Sequence, residues 1–221
     1  MENWQPSALS WSFTRKGRFE TCRRRYFYDR FWGQDPKTRW ALFEMRNITT
    51  LAKLRGQIVH DVISRGLRSI RMGLDVDVET AKQSVHEIIR EKYMESQKRL
   101  WHLDNRPPGR KASEITNLHE HYYKYPDIGE RAREARQVAW TCIENLFGSD
   151  IWREIAASDP KNWIEIDEEG FPSFDIDGIK VFTKIDFAHC NGGRTIIDWK
   201  TGSASQDNRH QLALYSLYAQ A

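Results

Sequence analysis

The sequence predicts a mixed α/β (α+β) protein in which a long helical part precedes a small sheet and a last helix. Up to about residue 158, apolar residues recur at spacings of three and four, which is typical of helices. After Asp159-Pro160, apolar and polar residues alternate with a period of two, which is typical of half-buried strands. We therefore expect a mainly helical part over residues 1–158, and a β meander with a closing helix over residues 159–221 that completes one domain.

The helical part contains several amphipathic stretches. Helices are predicted over residues 78–101 and 129–147, the second of which ends before Gly148. The Pro- and Gly-rich residues 104–111 predict a mobile loop between them. Two earlier stripes indicate helix faces: Phe19, Cys22, Tyr26 and Phe27, then Val59, Ile63, Leu67 and Ile70.

The β part is predicted from three alternating runs and one turn. The runs cover residues 163–167, 174–177 and 179–185. Asn191-Gly192-Gly193 tolerates positive φ and lies between two β-rich runs, which predicts a hairpin. A helix is expected over residues 207–221, with one face made by Gln211, Leu214, Leu217 and Tyr218.

The composition is that of a globular protein without a membrane segment. The 221 residues are 39% hydrophobic and 29% charged, which excludes a disordered chain. No apolar run approaches the roughly 20 residues of a membrane helix, and the N-terminus lacks the features of a signal peptide. Cys22, Cys142 and Cys190 are too dispersed for a disulfide scaffold. We expect a soluble, cytoplasmic protein.

The small net charge of +3 conceals an asymmetry along the chain. Residues 1–30 carry seven basic residues against three acidic ones, whereas residues 159–190 carry eight acidic residues against three basic ones. This distribution suits a protein that binds both phosphates and cations. Two solvated faces that differ in charge explain it equally well.

The predicted hairpin carries the most informative group of side chains. A loop centred on Gly192 places Asp186 opposite Asp198, with Lys200 on the same face. Opposed carboxylates repel each other, and Mg²⁺ or Mn²⁺ held between them is the simplest compensation. We expect the side chains of the neighbouring residues to point to the other face, toward a core; these are Ile185, Phe187, Ile197 and Trp199.

Lys200 beside such a cation suits phosphodiester chemistry. A metal ion activates water and neutralises the phosphate, while an ammonium group helps to position the nucleophile. The alternative is an Asp–Lys–Asp ladder on an exposed face, which stabilises the protein little.

At this point the sequence resembles a known family. Residues 178–186 (GIKVFTKID) followed by 196–202 (IIDWKTG) look like the core of the PD-(D/E)XK nuclease superfamily, in the RecB-like branch of RecB/AddB-type nuclease domains and CRISPR-associated exonucleases. Residues 54–60 (LRGQIVH) are similar to the Gly-x-x-x-His segment of that branch, and residues 211–215 (QLALY) to its Gln-x-x-x-Tyr segment. Residues 10–26, with SWSF and FETCRRRY, resemble its N-terminal opening.

The resemblance implies a restriction-endonuclease-like core, which is a small mixed sheet flanked by helices, and metal-dependent DNA cleavage. It makes Lys200 the catalytic lysine, with Gln211 and Tyr215 lining the site and contacting DNA or orienting the lysine. Glu165 is a further candidate carboxylate. The implied metal ligands are His60, Asp186, Asp198 and the backbone carbonyl of Trp199.

The chain also departs from these relatives. Some of them hold an iron–sulfur cluster with one N-terminal and three C-terminal cysteines, but only Cys22 stands at a matching position, so no cluster is expected and Cys22 is interpreted as a small buried residue of its helix. Lys184 stands where relatives often have glycine and adds a cation near the phosphate. Relatives continue beyond the Gln-x-x-x-Tyr helix, whereas this chain ends at Ala221. We therefore expect either a truncated chain or a protein partner that completes the sheet.

DNA contacts are predicted mainly in the first thirty residues. Cations interleaved with aromatic residues suit phosphates and unstacked bases, although we expect most of these aromatics to face the core. Contacts to phosphates carry no sequence information, so cleavage is expected to depend on DNA structure. The predicted nucleic-acid-binding residues are Arg15, Lys16, Arg18, Arg23, Arg24 and Arg25.

Together these features predict a Mg²⁺- or Mn²⁺-dependent deoxyribonuclease. We expect it to act like an exonuclease on single-stranded DNA or DNA ends, in DNA repair, recombination or defence. The alternative is a non-cleaving nucleic-acid-binding or regulatory subunit, whose partner completes the sheet or supplies helicase activity. The complete set of Asp186, Asp198 and Lys200 favours the enzyme.

Overall fold

The computed structural model describes residues 9–31, 36–167, 172–202 and 206–220. Glu168 and Glu169 of the predicted acidic segment lie outside these residues. The helices are α1 (Phe13–Thr21), α2 (Arg23–Phe31), α3 (Pro36–Asn47), α4 (Leu51–Arg71), α5 (Val78–Gln97), α6 (His119–Tyr122), α7 (Ile128–Phe147), α8 (Asp150–Ala157) and α9 (Gln206–Tyr218). The strands are β1 (Ser10–Trp11), β2 (Ile48–Thr49), β3 (Asn117–Leu118), β4 (Trp163–Ile166), β5 (Ser173–Ile176), β6 (Ile179–Phe182), β7 (Phe187–Cys190) and β8 (Arg194–Ile197). Among the helices of these ranges, none has the length and apolar character needed to cross a membrane.

The main core is built around the long helix α4, which packs against α5 and α7. Its predicted apolar stripe is confirmed, since Val59, Ile63 and Leu67 are buried and Ile70 is partly buried. The first turn is capped from inside the protein, because the buried carboxylate of Glu120 accepts a hydrogen bond from the Leu51 N–H at 3.0 Å. Two arginines near the end of α4 tie it to the β part, since Arg68 donates to the carbonyl of Ile166 and Arg71 to that of Trp163.

The strands form small sheets, and one of them is mixed, as predicted. One sheet has the order β1-β6-β5, in which β1 runs parallel to β6 and β5 antiparallel to it. A second has the order β4-β7-β8 with antiparallel neighbours, and β2 pairs with β3. The expected single meander is therefore divided between two sheets, and the N-terminal strand joins one of them.

The predicted hairpin register is confirmed. Phe187 pairs with Ile197 and Cys190 with Arg194, and Gly192 in the loop has a φ of 72°. Ile185 is buried in a core, as predicted, but it does not share the core of Phe187. Strand β6 ends at Phe182, so the alternation stops and Ile185 packs in a second cluster under α9.

The predicted N-terminal helix face is also wrong. The chain forms two helices, separated by Cys22 with extended backbone at φ −160°. Cys22 is exposed and not buried, and Phe19 and Phe27 are each 45% exposed. The expectation that most aromatics of this segment face the core fails, because α1 and α2 pack mainly against each other.

The last helix begins near the predicted position, and Gln211, Leu214 and Tyr218 of the predicted face are partly buried. Tyr215 is buried at 3% exposure, whereas Leu217 of the predicted face is 52% exposed. Tyr215 packs with Ile185 and Ala188 from the sheet region. This packing brings the first half of α9 to the end of the β7–β8 hairpin.

Candidate active site

Asp186 lies at the centre of the candidate site, one residue before β7. One carboxylate oxygen, Oδ1, is 3.1 Å from Nδ1 of His60 on α4. The other, Oδ2, accepts a hydrogen bond from the backbone N–H of Trp199 at 2.7 Å. Asp186 is only 7% exposed. It therefore joins the long helix to the segment that follows β8.

Lys200 organises the other half of the site. Its Nζ lies 2.5 Å from Oδ2 of Asp198 and donates a hydrogen bond to Oε1 of Gln211 at 3.1 Å. The Gln211 amide in turn donates to the hydroxyl of Tyr215, one turn further along α9. The two halves meet because Asp198 and Trp199 are adjacent in the chain. We call these seven residues the catalytic cluster: His60, Asp186, Asp198, Trp199, Lys200, Gln211 and Tyr215.

The cluster perturbs the protonation of its own members. Burial opposes the charge on His60, but the hydrogen bond to Asp186 and its charge outweigh this and raise the pKa of His60. Burial raises the pKa of Asp198, and the charge of Asp186 adds to the rise, against the opposing hydrogen bond from Lys200. Burial and the charge of Asp198 raise the pKa of the Tyr215 phenol. Tyr215 therefore keeps its proton at neutral pH.

Gly56 explains how α4 comes so close to the segment that carries Lys200. A Cβ atom at this position would lie 3.1 Å from Oγ1 of Thr201, which is tighter than an ordinary van der Waals contact. Thr201 follows Lys200 directly, and His60 lies one helical turn after Gly56. The glycine of the Gly-x-x-x-His segment thus has a packing reason in this chain: it allows α4 to approach the segment that carries the lysine.

The donor set of the cluster fits a hard divalent cation by its chemistry. Two carboxylates and one imidazole suit Mg²⁺ or Mn²⁺, and the mutual influence of Asp186 and Asp198 is the repulsion that a cation relieves. Across the described ranges, no three His, Cys, Asp or Glu side chains are already arranged as a cation site. The reason is that Asp186 contacts His60 and Trp199, whereas Asp198 contacts Lys200. These residues therefore fit a divalent cation by the type of their donor atoms, and not by their present arrangement.

Next to the cluster lies a second polar group that sequence reasoning largely missed. Asp167 is 2.7 Å from Nζ of Lys184 and accepts a hydrogen bond from the buried hydroxyl of Ser64 at 3.2 Å. Ser64 lies one turn after His60 on α4, so the helical spacing of these polar residues beside the apolar stripe was the available signal. Lys184, predicted as an extra cation, is thus paired with a carboxylate. Burial raises the pKa of Asp61, beside His60 in sequence, although Arg65 opposes the rise.

The candidate carboxylate Glu165 lies close to the same region. It is 8% exposed on β4 and pairs with Ala188 of β7. Its charge contributes to the raised pKa of Tyr215. Glu165 therefore lies near the tyrosine end of the catalytic cluster.

Two cavities open beside the cluster. The first, which we call the α4 groove, has a volume of about 670 Å³. The second, the α1 groove, has a volume of about 350 Å³. Lys184 lines both of them. The α4 groove reaches His60 and Asp186 and extends along Lys53, Gln57, Arg46 and Ser113; the α1 groove reaches Gln211 and Tyr215 and extends along Phe13, Arg15 and Arg18.

The structure separates the six predicted nucleic-acid-binding residues into two groups. Arg15 and Arg18 line the α1 groove beside the cluster. The other four lie outside both grooves, and three of them have contacts within their own segment. Lys16 pairs with Glu20 at 3.1 Å, Arg23 lies over the Phe19 ring, Arg24 lies over the Tyr28 ring, and Arg25 is exposed on α2.

Comparison with known proteins gives one match. A family model described as the PD-(D/E)XK nuclease superfamily matches residues 10–221, which includes every member of the catalytic cluster. No curated protein and no solved structure gives a significant match. The match covers nearly the whole chain and agrees with the mixed fold and with the Asp186, Asp198 and Lys200 arrangement. The chain therefore belongs to the PD-(D/E)XK nuclease superfamily, whose members are in general metal-dependent nucleases.

Proposed function

We propose that the protein is a metal-dependent deoxyribonuclease of the RecB-like branch, which degrades single-stranded DNA or DNA ends in the manner of an exonuclease. DNA repair, recombination or defence is the process that such an activity serves. One observation carries the proposal: residues from α4, the hairpin and α9 converge in a single network of contacts around Asp186 and Lys200. Four of them, His60, Asp186, Asp198 and Trp199, are the ones that would hold the cation.

The chain's own side chains have distinct tasks in this reaction. A bound Mg²⁺ or Mn²⁺ would supply charge neutralisation and an activated water. Lys200 keeps an ammonium group next to Asp198, where it can hold the nucleophile or a phosphate oxygen. Gln211 fixes the position of that ammonium group through its side-chain oxygen. Tyr215, protonated at neutral pH, supports Gln211 and offers a hydrogen-bond donor.

The two grooves beside the cluster give DNA a path past these groups. Arg15 and Arg18 in the α1 groove and Lys53 in the α4 groove are suited to backbone phosphates. Such contacts position a strand without reading its sequence. This supports cleavage that depends on the form of the DNA and not on a recognition site.

The test is a cleavage assay with Mg²⁺ and with Mn²⁺ on 5′- and 3′-labelled single strands, duplexes and closed circles. We expect end-labelled single strands to be degraded progressively and closed circles to survive. Rapid cutting of closed circles would show an endonuclease and contradict the exonuclease proposal. No cleavage of any DNA with either metal would contradict the enzymatic proposal itself.

A second candidate is a nucleic-acid-binding subunit that does not cleave. It is favoured by the contacts of the candidate ligands, since Asp186 is engaged by His60 and Trp199, and Asp198 by Lys200. Calorimetric titration with Mn²⁺ separates the two functions. Binding that is lost in the Asp186→Asn and Asp198→Asn variants supports the nuclease, whereas the absence of such binding in the wild-type protein supports the second candidate.

A further inference from the structure

A third cavity lies between α3 and the segment that contains residues 106–113. Its volume is about 570 Å³. Four of its eight lining residues are cationic and none is acidic. We call this cavity the basic-aromatic pocket; it is lined by Arg39, Trp40, Phe43, Arg106, Arg110, Lys111, Ala112 and Ser113.

The aromatic wall of the pocket is preformed. The rings of Trp40 and Phe43, three residues apart on α3, are stacked with their centroids 5.4 Å apart and an interplanar angle of 26°. Both residues are half-buried, so each ring is partly accessible. Accessible aromatic faces are surfaces on which an unpaired nucleobase can stack.

The cationic wall is partly fixed by contacts outside the pocket. Arg110 donates to the buried carboxylate of Glu95 at 2.8 Å and to the backbone carbonyl of Glu114 at 3.0 Å. Its guanidinium group is thereby held at the cavity. Arg106 and Lys111 lie on either side of it in the sequence and line the same cavity. Cations arranged around an aromatic wall suit the phosphates of a nucleic-acid strand.

The basic-aromatic pocket continues into the α4 groove. Ser113 lines both cavities, and Arg46 and Asn47 at the end of α3 line the α4 groove. From Phe43 to Asn47 the helix advances by four residues, which is about 6 Å. The pocket is therefore adjacent to the groove that leads to His60 and Asp186.

We propose that the basic-aromatic pocket is a binding subsite for unpaired nucleotides of single-stranded DNA, in line with the catalytic cluster. The proposal rests on the proposed nuclease function, because that function supplies the DNA strand in the α4 groove. A base of a duplex is stacked between its neighbours and cannot lie on Trp40, whereas an unpaired base can. The pocket thus gives the enzyme a preference for single strands that is independent of the cluster.

The experiment measures binding without cleavage. A fluorescein-labelled (dT)12 strand and a labelled 12-base-pair duplex are titrated with protein in EDTA, and fluorescence anisotropy gives the affinities at several salt concentrations. We expect the wild-type protein to prefer the single strand. Trp40→Ala should weaken single-strand binding at least about fivefold, since stacking on one aromatic residue carries about that much affinity. Trp40→Phe keeps a stacking face and should remain within about twofold.

A double variant tests the cationic wall without touching the aromatic rings. Arg106→Ala with Lys111→Ala should weaken single-strand binding and reduce the log–log salt slope by about 1.4, as expected for two lost phosphate contacts on a single strand. Lys161→Ala is the matched control, since Lys161 lies outside the three cavities described above. Melting temperatures show whether each variant is folded, and the double variant keeps the test valid if Trp40→Ala does not fold.

The proposal is overturned if the double variant binds (dT)12 as well as the wild-type protein does, and equally if a folded Trp40→Ala does so. Equal losses of affinity for the duplex and for the single strand in these variants would overturn it too. Stronger binding of the RNA strand U12 than of (dT)12 would also overturn it. Because these titrations contain no metal, their outcome is separate from that of the cleavage assay. A protein that binds as expected but never cleaves keeps the subsite and loses the proposed nuclease function.

Discussion

The catalytic cluster and the N-terminal helices α1 and α2 are both rich in charged residues, but their charges are organised differently. In the cluster, Asp186 and Lys200 each contact two other members that come from distant parts of the chain. In α1 and α2, several cations contact partners within their own segment, such as Glu20 for Lys16 and the Phe19 ring for Arg23. Substitutions in the cluster should therefore act together, and those in α1 and α2 should act singly and weakly.

The difference shows that density of charge along a sequence is a poor guide to density of charge in space. The run of Arg23, Arg24 and Arg25 lies outside both grooves, although it is the most basic stretch of the chain. Arg39 and Arg106 are far apart in sequence and line one cavity. Surface ion pairs and ring contacts such as those of α1 and α2 contribute little to stability.

The largest effect is expected for loss of the lysine or the hairpin carboxylate. Lys200→Ala or Asp198→Ala should lower the cleavage rate about 10³-fold or more, because each removes charge next to the reacting phosphate. Labelled single strands with Mn²⁺ give the rates, and the melting temperature confirms that the fold is intact. A Lys200→Ala protein that cleaves at the wild-type rate would show that the lysine is not catalytic, while Lys161→Ala should be unaffected.

A tenfold effect is expected from a residue that carries no functional side chain. Gly56→Ala adds a Cβ atom 3.1 Å from Oγ1 of Thr201 and so displaces the residue beside Lys200. We expect about a tenfold loss of cleavage, because small displacements of reacting groups are costly. The melting temperature should change little, since alanine favours a helix over glycine.

The matched control for Gly56→Ala removes the other partner of the contact, which is the Thr201 side chain. Thr201→Ala removes Oγ1, so the double variant Gly56→Ala/Thr201→Ala should cleave as fast as Thr201→Ala alone. If the double variant stays as slow as Gly56→Ala, the contact between α4 and Thr201 is not the cause. In that case, the members of the cluster depend on each other's positions less than their contacts indicate.

A smaller effect is expected when two arginines of the N-terminal helices are compared directly. Arg18 lines the α1 groove, whereas Arg24 lies over the Tyr28 ring and outside that groove. Arg18→Ala should weaken single-strand binding about threefold and reduce the salt slope by about 0.7, and Arg24→Ala should change neither. Anisotropy titrations in EDTA measure both quantities. Equal losses in the two variants would mean that the whole basic segment contacts DNA.

The smallest effect concerns stability at a site remote from both regions. Burial lowers the pKa of His121, whose Nδ1 lies 3.0 Å from the Ser96 hydroxyl, with a small opposing influence of Glu120. Above the ordinary histidine pKa of about 6.5, both the folded and the unfolded states are neutral here, so its stabilising contribution is fully present. As the pH falls below that value, the unfolded state takes up a proton more readily, and stability is lost.

Thermal unfolding between pH 7.5 and 5 measures the effect of His121. The melting temperature of the wild-type protein should fall more steeply with decreasing pH than that of His121→Gln. Identical pH profiles would show that this histidine does not contribute. The comparison also provides a baseline for stability changes caused by residues outside the cluster and the N-terminal helices.

Much of the local structure was accessible from sequence. The apolar stripe of α4 follows from helical spacing, and the hairpin register follows from the Asn191-Gly192-Gly193 turn, since one turn residue fixes every pair beyond it. The cluster that buries Ile185 and the exposure of Cys22 were not predicted, because in both places an element ended earlier than its pattern. Periodicity indicates whether a segment forms a helix or a strand, but it does not indicate the residue at which that element ends.

The sequence by itself determined the candidate site residues and their order, because short motifs carry both. His60, Asp186, Lys200 and Gln211 could be named before any coordinates. Only the tertiary structure decided that Gly56 abuts Thr201, that Lys184 is paired with Asp167, and that Arg39 and Arg106 line one cavity with Trp40. Periods and turns depend on neighbours a few residues away, whereas these contacts depend on how separate elements pack, which no local pattern encodes.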